Sequence, residues 1–250
     1  MGKNYEFRFE LKPSKFIYVP TKEATVAGKK IVNDLLQKWT PADYFYHFGK
    51  RGGHVAAMQL HSYQSFKASI DLKGFFNSVT RSKVQRALKS IGYSNRTAFE
   101  IASMSCVQAK NRKFLPYGFV QSMALATLAV EKSQLGTVLK TLRNNGVKVS
   151  VYVDDIVFSA NEKALVDNAF HALVTAVEAS NLTCSPEKSA SAAESVNAFN
   201  CIIFNKVIEI NDPRMSLFKS QLASTSAAGR DAILRYVGGI NEDQMNELMY

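Results

Sequence analysis

Val149-Ser150-Val151-Tyr152-Val153-Asp154-Asp155-Ile156-Val157-Phe158-Ser159 is the stretch on which the fold of this chain turns. Two runs rich in β-branched and aromatic residues flank a pair of adjacent aspartates. The turn signal Asn144-Asn145-Gly146 precedes them, and Ala160-Asn161-Glu162 follows. Run length and residue type specify a strand on each side rather than one helix. A strand–Asp-Asp–strand hairpin sets two carboxylates at the tip of a buried ribbon. Close carboxylates repel and resist joint ionisation unless positive charge is near. A divalent cation supplies that charge, and Mg²⁺ takes hard oxygen ligands. An isolated Asp-Asp pair reads as a solvated turn. The flanking strands and a second carboxylate site upstream reverse that reading.

The upstream site is Phe66-Lys67-Ala68-Ser69-Ile70-Asp71-Leu72-Lys73-Gly74-Phe75-Phe76-Asn77-Ser78-Val79. A short strand delivers Asp71, and a turn then presents two aromatics. Thr80 caps a helix whose apolar positions are Val84, Ala87, Leu88 and Ile91, and Gly92 stops it. Asn95 caps a further helix running to about Ala109. Lys110-Asn111-Arg112-Lys113 follows as a basic loop placed to touch phosphates. Leu115-Pro116-Tyr117-Gly118-Phe119-Val120-Gln121-Ser122 is a turn feeding one long helix through Leu125, Leu128, Leu135, Val138, Leu139 and Leu142. After the Asp-Asp hairpin, Asn161 caps a helix closed by Asn181. Residues 182–189 form a short strand and a loop bearing Lys188. Val196 to Ile210 alternates as a hairpin turning at Asn205-Lys206. Residues 211–250 hold two or three short helices split by Gly238-Gly239.

Upstream of Asp71, residues 5–19 read as an extended arm. A helix opens at Pro20-Thr21 and ends at Thr40-Pro41. An aromatic stretch then leads into Lys50-Arg51-Gly52-Gly53, where paired basics beside paired glycines suit a mobile phosphate-touching loop. This order of elements gives an α+β chain with an antiparallel sheet backed by helices. In such a sheet Asp71 and Asp154 meet, although far apart along the chain. Carboxylates converging from two strands form a two-metal site, able to activate a hydroxyl and steady a leaving phosphate.

Composition bounds the partners. The chain has 250 residues and a net charge of +10, which suits a polyanion such as nucleic acid. Cys106, Cys184 and Cys201 include no CxxC pair, so neither a disulfide framework nor a zinc site is indicated. His47, His54 and His61 are evenly spaced but lack cysteine or carboxylate company; surface or packing roles fit them. No apolar run reaches a membrane span, and the start has no signal-peptide core. The expected location is the cytoplasm, with no membrane partner.

These residues resemble the reverse transcriptases. Ile70-Asp71-Leu72-Lys73-Gly74-Phe75-Phe76, Leu115-Pro116-Tyr117-Gly118, Tyr152-Val153-Asp154-Asp155 and the loop at Lys188 match that family in order and spacing across roughly residues 20–210. The flavour is bacterial: retron, group II intron and, above all, abortive-infection and phage-defence enzymes. The resemblance implies a right-hand polymerase fold with an antiparallel palm, helical fingers and a small C-terminal helical thumb. Residues 1–70 would be N-terminal arm and part of the fingers, and 71–80 the first catalytic palm strand. Residues 81–114 would be fingers and palm helices, 115–210 the palm with its primer-grip-like hairpin, and 211–250 the thumb.

The resemblance also implies roles. Asp71 and Asp154 would hold two Mg²⁺ ions, with Mn²⁺ as the alternative, and Asp155 would be a third carboxylate nearby. Lys188 would stand near the departing pyrophosphate. Phe76 occupies the sugar-sensing position, which favours deoxynucleotides; Leu72, Tyr117 and Gly118 would also line the dNTP site, with Lys50 and Arg51 at the triphosphate. Lys110, Arg112, Lys113 and Gln121 would contact nucleic acid. The implied partners are RNA as template or structured RNA, the DNA product and dNTPs. Residues 211–250 carry five acidic and four basic residues, so a homo-oligomer, an RNA or a partner protein is expected to complete the nucleic-acid grip. Two departures stand out. Tyr117 replaces the glutamine common in the family, and Met123 follows Ser122 where proline is common. They keep open an untemplated or protein-primed DNA polymerase on the same scaffold, and, as a third reading, a catalytically idle RNA-binding palm. The intact Asp71, Asp154 and Asp155 speak against the third.

Overall fold

Residues 5–19, expected as an extended arm, fall in two paired strands in the computed structural model of the protein. Strand β1 (Tyr5–Lys12) pairs antiparallel with β2 (Lys15–Pro20). Residues 3–13, 15–48, 52–109 and 111–249 are described. They divide into two units: residues 1–45, 72–140 and 175–183 form the first, and residues 46–71, 141–174 and 184–250 the second.

In the first unit, helix α1 (Lys22–Lys38) starts where Thr21 Oγ1 accepts the Ala24 amide, a side-chain cap that satisfies an otherwise orphaned donor. The boundaries of two helices in this unit follow the same rule. Thr80 caps α4 (Arg81–Ser90), and Ser94, one residue before the expected Asn95, caps α5 (Asn95–Ser105). Between α1 and α4 along the chain come α2 (Gly53–Ser62) and β3 (Phe66–Asp71) of the second unit, and the single turn α3 (Phe75–Ser78) of the first. Of the expected basic loop, Arg112 and Lys113 lie on a strand: β4 (Val107–Ala109) pairs antiparallel with β5 (Arg112–Phe114).

The long helix expected after Ser122 is two helices, α6 (Ser122–Glu131) and α7 (Gln134–Asn144). The leucine periodicity runs through the break and so hides it. Ser133 ends α6 by donating to the Val130 carbonyl at 2.7 Å, and the Leu135 amide leads into α7 by donating to Ser180 Oγ at 2.9 Å. A Cβ on Gly136 would lie 2.3 Å from the Glu131 carbonyl oxygen, so the chain folds back here only because that residue is glycine. Leu35, Val84, Leu88, Leu125 and Leu128 are fully buried and form the apolar centre of this unit.

The second unit is built on a four-stranded antiparallel sheet in the order β6 (Lys148–Tyr152), β7 (Asp155–Ala160), β3, β8 (Ala190–Ala193). Helix α8 (Lys163–Ala179) begins in this unit and lays Phe170 against Phe158 of β7. Asn161, expected to cap α8, instead accepts hydrogen bonds from the Ser65 amide and hydroxyl, which ties the end of β7 to the start of β3. A three-stranded sheet follows: β9 (Val196–Ala198), β10 (Cys201–Phe204) and β11 (Val207–Ile210), turning at Asn205-Lys206 as expected. Helices α9 (Asp212–Leu222), α10 (Ala227–Gly238) and α11 (Glu242–Met249) complete the chain. Met215, Phe218 and Val237 join Val157, Val196, Ile203 and Met58 in one apolar cluster. The helical tail therefore shares a core with the sheet it follows. No helix among the described residues is long and apolar enough to cross a membrane.

Candidate active site

Strand β3 ends on Asp71, and its register sets Asp71 opposite Asp155, with Ile70 opposite Ile156. Across the hairpin, Tyr152 lies opposite Asp155, leaving Val153 and Asp154 as the two-residue turn. The burial pattern explains this placement. Val149, Val151, Ile156, Val157 and Phe158 are buried, so the paired strands are anchored and the aspartates can occur only at their ends.

The turn is strained. Val153 has φ +60°, a region that branched side chains avoid. Such a conformation persists only where neighbours hold it. The Val153 amide donates to His47 Nδ1 at 3.0 Å, and the Tyr46 amide donates to the Val151 carbonyl at 2.9 Å. The Tyr152 ring meets His47, His54 and Phe199 edge-on, at centroid distances of 5.9, 5.6 and 5.9 Å. His47 and His54 thus serve the aspartate hairpin. The sequence left surface and packing roles open for them and named no partner.

Burial pushes the Asp155 carboxyl up to about 7, and the charges of Asp154 and Asp71 push the same way, while Lys188 opposes them. Three negative groups therefore act on one another at the strand ends. Lys188 Nζ stands 3.5 Å from Asp71 Oδ2. Its loop is fastened to the same strand: the Ser185 amide donates to the Asp71 carbonyl at 2.9 Å, and the Asp71 amide donates to Ser189 Oγ at 3.3 Å. Lys188, expected near the departing pyrophosphate, is thereby a cation beside the Asp71 carboxylate. Among the described residues no three His, Cys, Asp or Glu side chains already stand at metal-ligating spacing. The chemistry of the donor set still fits a hard divalent ion: carboxylate oxygens alone, held together against their own repulsion.

His61 is fully buried between the two strands of the aspartate hairpin. Its ring nitrogens bond Ser159 Oγ at 2.7 Å and Ser150 Oγ at 2.8 Å. Burial, helped by the nearby Lys67 charge, lowers its pKa to about 3.

The remaining candidates lie in the first unit. Phe76 is nearly buried and packs edge-to-face on Tyr117 with centroids 4.7 Å apart. Lys15 Nζ sits 4.3 Å from the centroid of that Tyr117 ring, a cation–π geometry. The sequence reading missed Lys15, and only the β1–β2 fold-back brings it to Tyr117. Leu72 is a buried core side chain, so no side-chain contact with a nucleotide is open to it. Arg112 and Lys113 are exposed on β5. Gln121, expected at nucleic acid, is buried; its amide donates to Ser105 Oγ at 3.3 Å, and its side chain fills the space beside Gly28. It packs helices together and offers no atom to a nucleic acid. Lys50, Arg51 and Lys110 lie outside the described residues.

Gly118, expected to admit a nucleotide or template backbone, has its open side filled by the protein. It has φ +105°, and a Cβ there would lie 2.3 Å from the Tyr18 carbonyl oxygen. The Tyr18 amide also donates to the Tyr117 carbonyl at 2.9 Å. Gly118→Ala is expected to cost about 2–3 kcal/mol, since both the backbone angle and the contact oppose it. Urea unfolding checks this, and an unchanged midpoint would refute the packing assignment.

Comparison with known proteins meets this geometry. The family model for reverse transcriptase (RNA-dependent DNA polymerase) matches residues 17–203. The retron Ec86 reverse transcriptase of Escherichia coli is 24% identical over 178 residues, covering 71% of this chain and 54% of that protein. The chain thus spans about half the length of this curated relative. Two solved structures share the fold. Telomerase from Candida albicans, solved with a fragment of telomeric RNA, has a TM-score of 0.55 at 8% identity and covers 91% of this chain and 47% of its own. A foamy viral protease–reverse transcriptase with double-stranded DNA has a TM-score of 0.50 at 19% identity, over 91% and 34% of the two chains. With three quarters of its length matched by the family model and its aspartates on adjoining antiparallel strands, this chain belongs to the reverse transcriptase (RNA-dependent DNA polymerase) family.

Proposed function

We propose that this chain is the polymerising part of a bacterial reverse transcriptase, acting in the cytoplasm and copying RNA into DNA by adding deoxynucleotides to a 3′-hydroxyl. The observation that carries this is the register that sets Asp71 beside the Val153-Asp154-Asp155 turn, with Asp154 and Asp71 both raising the Asp155 carboxyl. Asp71 and Asp154 would hold two Mg²⁺ ions, or Mn²⁺, with Asp155 as the third carboxylate. When bound, such ions lower the barrier to attack on the α-phosphorus and steady the departing pyrophosphate. Lys188, exposed beside Asp71, would screen or protonate that pyrophosphate. Arg112 and Lys113 add to the positive charge that favours a nucleic-acid partner. The retron relative supports a retroelement setting, and the sequence resemblance to phage-defence enzymes is what suggests an antiphage one.

Phe76 is assigned the deoxyribose check. A ring standing where a 2′-hydroxyl would go excludes ribonucleotides by overlap. Phe76→Ala is expected to raise ribonucleotide use relative to deoxynucleotide use by on the order of 10–100-fold, the range for one steric contact in a pocket. Single-nucleotide incorporation with dATP and ATP in parallel reads this, and an unchanged ratio would remove the assignment.

Primer extension on an RNA template with Mg²⁺ and the four dNTPs tests the proposal as a whole. A chain that extends no primer, with or without RNA, would overturn it. A second reading, untemplated or protein-primed synthesis, is favoured by one observation: Tyr117, at the usual glutamine position, is committed to Phe76 and Lys15. Product made from single dNTPs without RNA would select that reading.

A further inference from the structure

Tyr152, the last residue before the strained Val153, is wedged among the rings of His47, His54 and Phe199. An edge contact fixes one ring only as firmly as the other ring is held. His47 is held by the Val153 amide at 3.0 Å, and Phe199 is buried in the apolar cluster of this unit. His54 lies in the first turn of α2, which starts on Gly52 at φ +80° with no side-chain cap. Its anchor comes from the helical tail. His54 Nε2 and the Tyr236 hydroxyl of α10 share a hydrogen bond at 2.9 Å, across 182 residues of sequence. The two rings lie tilted at 38°, with centroids 5.6 Å apart. Tyr236 is set in turn by Phe218 of α9, edge-on at 5.7 Å. All of these residues belong to the second unit.

We propose that Tyr236 is a positioning residue for the aspartate turn, acting through His54 and Tyr152 on Asp154. The inference rests on the reading in which Asp154 holds a metal ion. Phenylalanine at 236 would fill the same space beside Phe218; what the hydroxyl adds is the bond to His54. The path from tail to turn is short: Tyr236 to His54, then His54 to Tyr152. Val153 keeps its φ of +60° only while its neighbours hold it. Tyr152 is the neighbour just before it, and the turn has only two residues between the paired Tyr152 and Asp155. A Tyr152 ring free to shift therefore carries the Val153-Asp154 turn with it. Metal-ligating groups lose affinity when the groups that orient them are loosened. The tail thus does more than bury apolar surface: one oxygen atom of α10 helps to aim a carboxylate of the sheet.

The test uses the full chain and follows Mn²⁺ binding by the electron paramagnetic resonance of the free ion, with primer extension alongside. Tyr236→Phe is expected to weaken Mn²⁺ binding about 2–30-fold, the range for a substitution acting through packed neighbours. The metal-free melting temperature should fall by only about 2–4 °C, the cost of one hydrogen bond in a chain of this size. Primer extension should drop at low Mg²⁺ and recover at high Mg²⁺. His54→Ala should weaken Mn²⁺ binding at least as much. Adding Tyr236→Phe to it should change nothing further, because the two act in series. Met215→Ala controls for general loosening. Met215 belongs to the same apolar cluster, so its truncation should cost more stability yet leave Mn²⁺ affinity as it was. Unchanged Mn²⁺ affinity in Tyr236→Phe overturns the inference, and so does an equal loss in Met215→Ala. In both cases an original chain that extends primers leaves the polymerase reading standing. An original chain that neither binds Mn²⁺ nor extends a primer overturns that reading, and the inference with it.

Discussion

Asp154→Asn is expected to lower nucleotide incorporation by on the order of 10³-fold, the upper end of what one misplaced charge-stabilising group costs. The same change should not weaken the fold. Asp154 is half-buried in a turn and acts on Asp155, whose carboxyl is raised to about 7. Removing one negative charge from that cluster relieves repulsion, so the melting temperature in EDTA should hold or rise. The two readings separate chemistry from architecture. Loss of activity with an unchanged or higher melting temperature supports a carboxylate kept for catalysis at a cost in stability. A variant that still extends primers at the original rate would remove Asp154 from the mechanism. Asp71→Asn is a harsher version of this test, because Asp71 also meets Lys188 at 3.5 Å.

His61→Ala should do the opposite, weakening the fold with no direct part in the chemistry. The ring is fully buried and bridges Ser150 of β6 to Ser159 of β7. Its removal leaves a cavity and two buried hydroxyls without their partner, a loss of about 3–5 kcal/mol. For a chain of this size that lowers the melting temperature by about 10 °C. A change under about 2 °C would show that the bridge does not hold the hairpin strands. The histidine also links stability to pH. Folded His61 has a pKa of about 3 against an ordinary 6.5, so acid protonates it in the unfolded chain first. Its contribution is complete above pH 6.5 and is lost as the pH falls from 6.5 toward 3, by up to about 1.4 kcal/mol per pH unit. The difference in stability between the original chain and His61→Ala should therefore shrink through that window.

The helix starts were legible at Thr21 and Thr80 because a capping hydroxyl is a local signal. The aspartate hairpin was legible because its flanking valines, isoleucine and phenylalanine leave no exposed face for a helix. Errors fell where periodicity is silent. The leucines of α6 and α7 keep step across Lys132-Ser133, so the break depends on hydroxyls from Ser133 and from the distant Ser180. Gln121 is polar, and only the closeness of Gly28 makes its burial feasible. Gly118 did need glycine, but the group pressing on it is the Tyr18 carbonyl.

By itself, then, the order of residues determined that this chain has an antiparallel sheet with aspartates at two strand ends, and that helices flank it. Alternation, turn residues and caps act over a few positions and can be read from a single chain. What only the tertiary structure decided is which groups distant in sequence meet: His47 on the Val153 amide, Lys188 at Asp71, Lys15 over Tyr117. Those pairings depend on how strands and loops far apart in the sequence are laid side by side, and no local propensity records that.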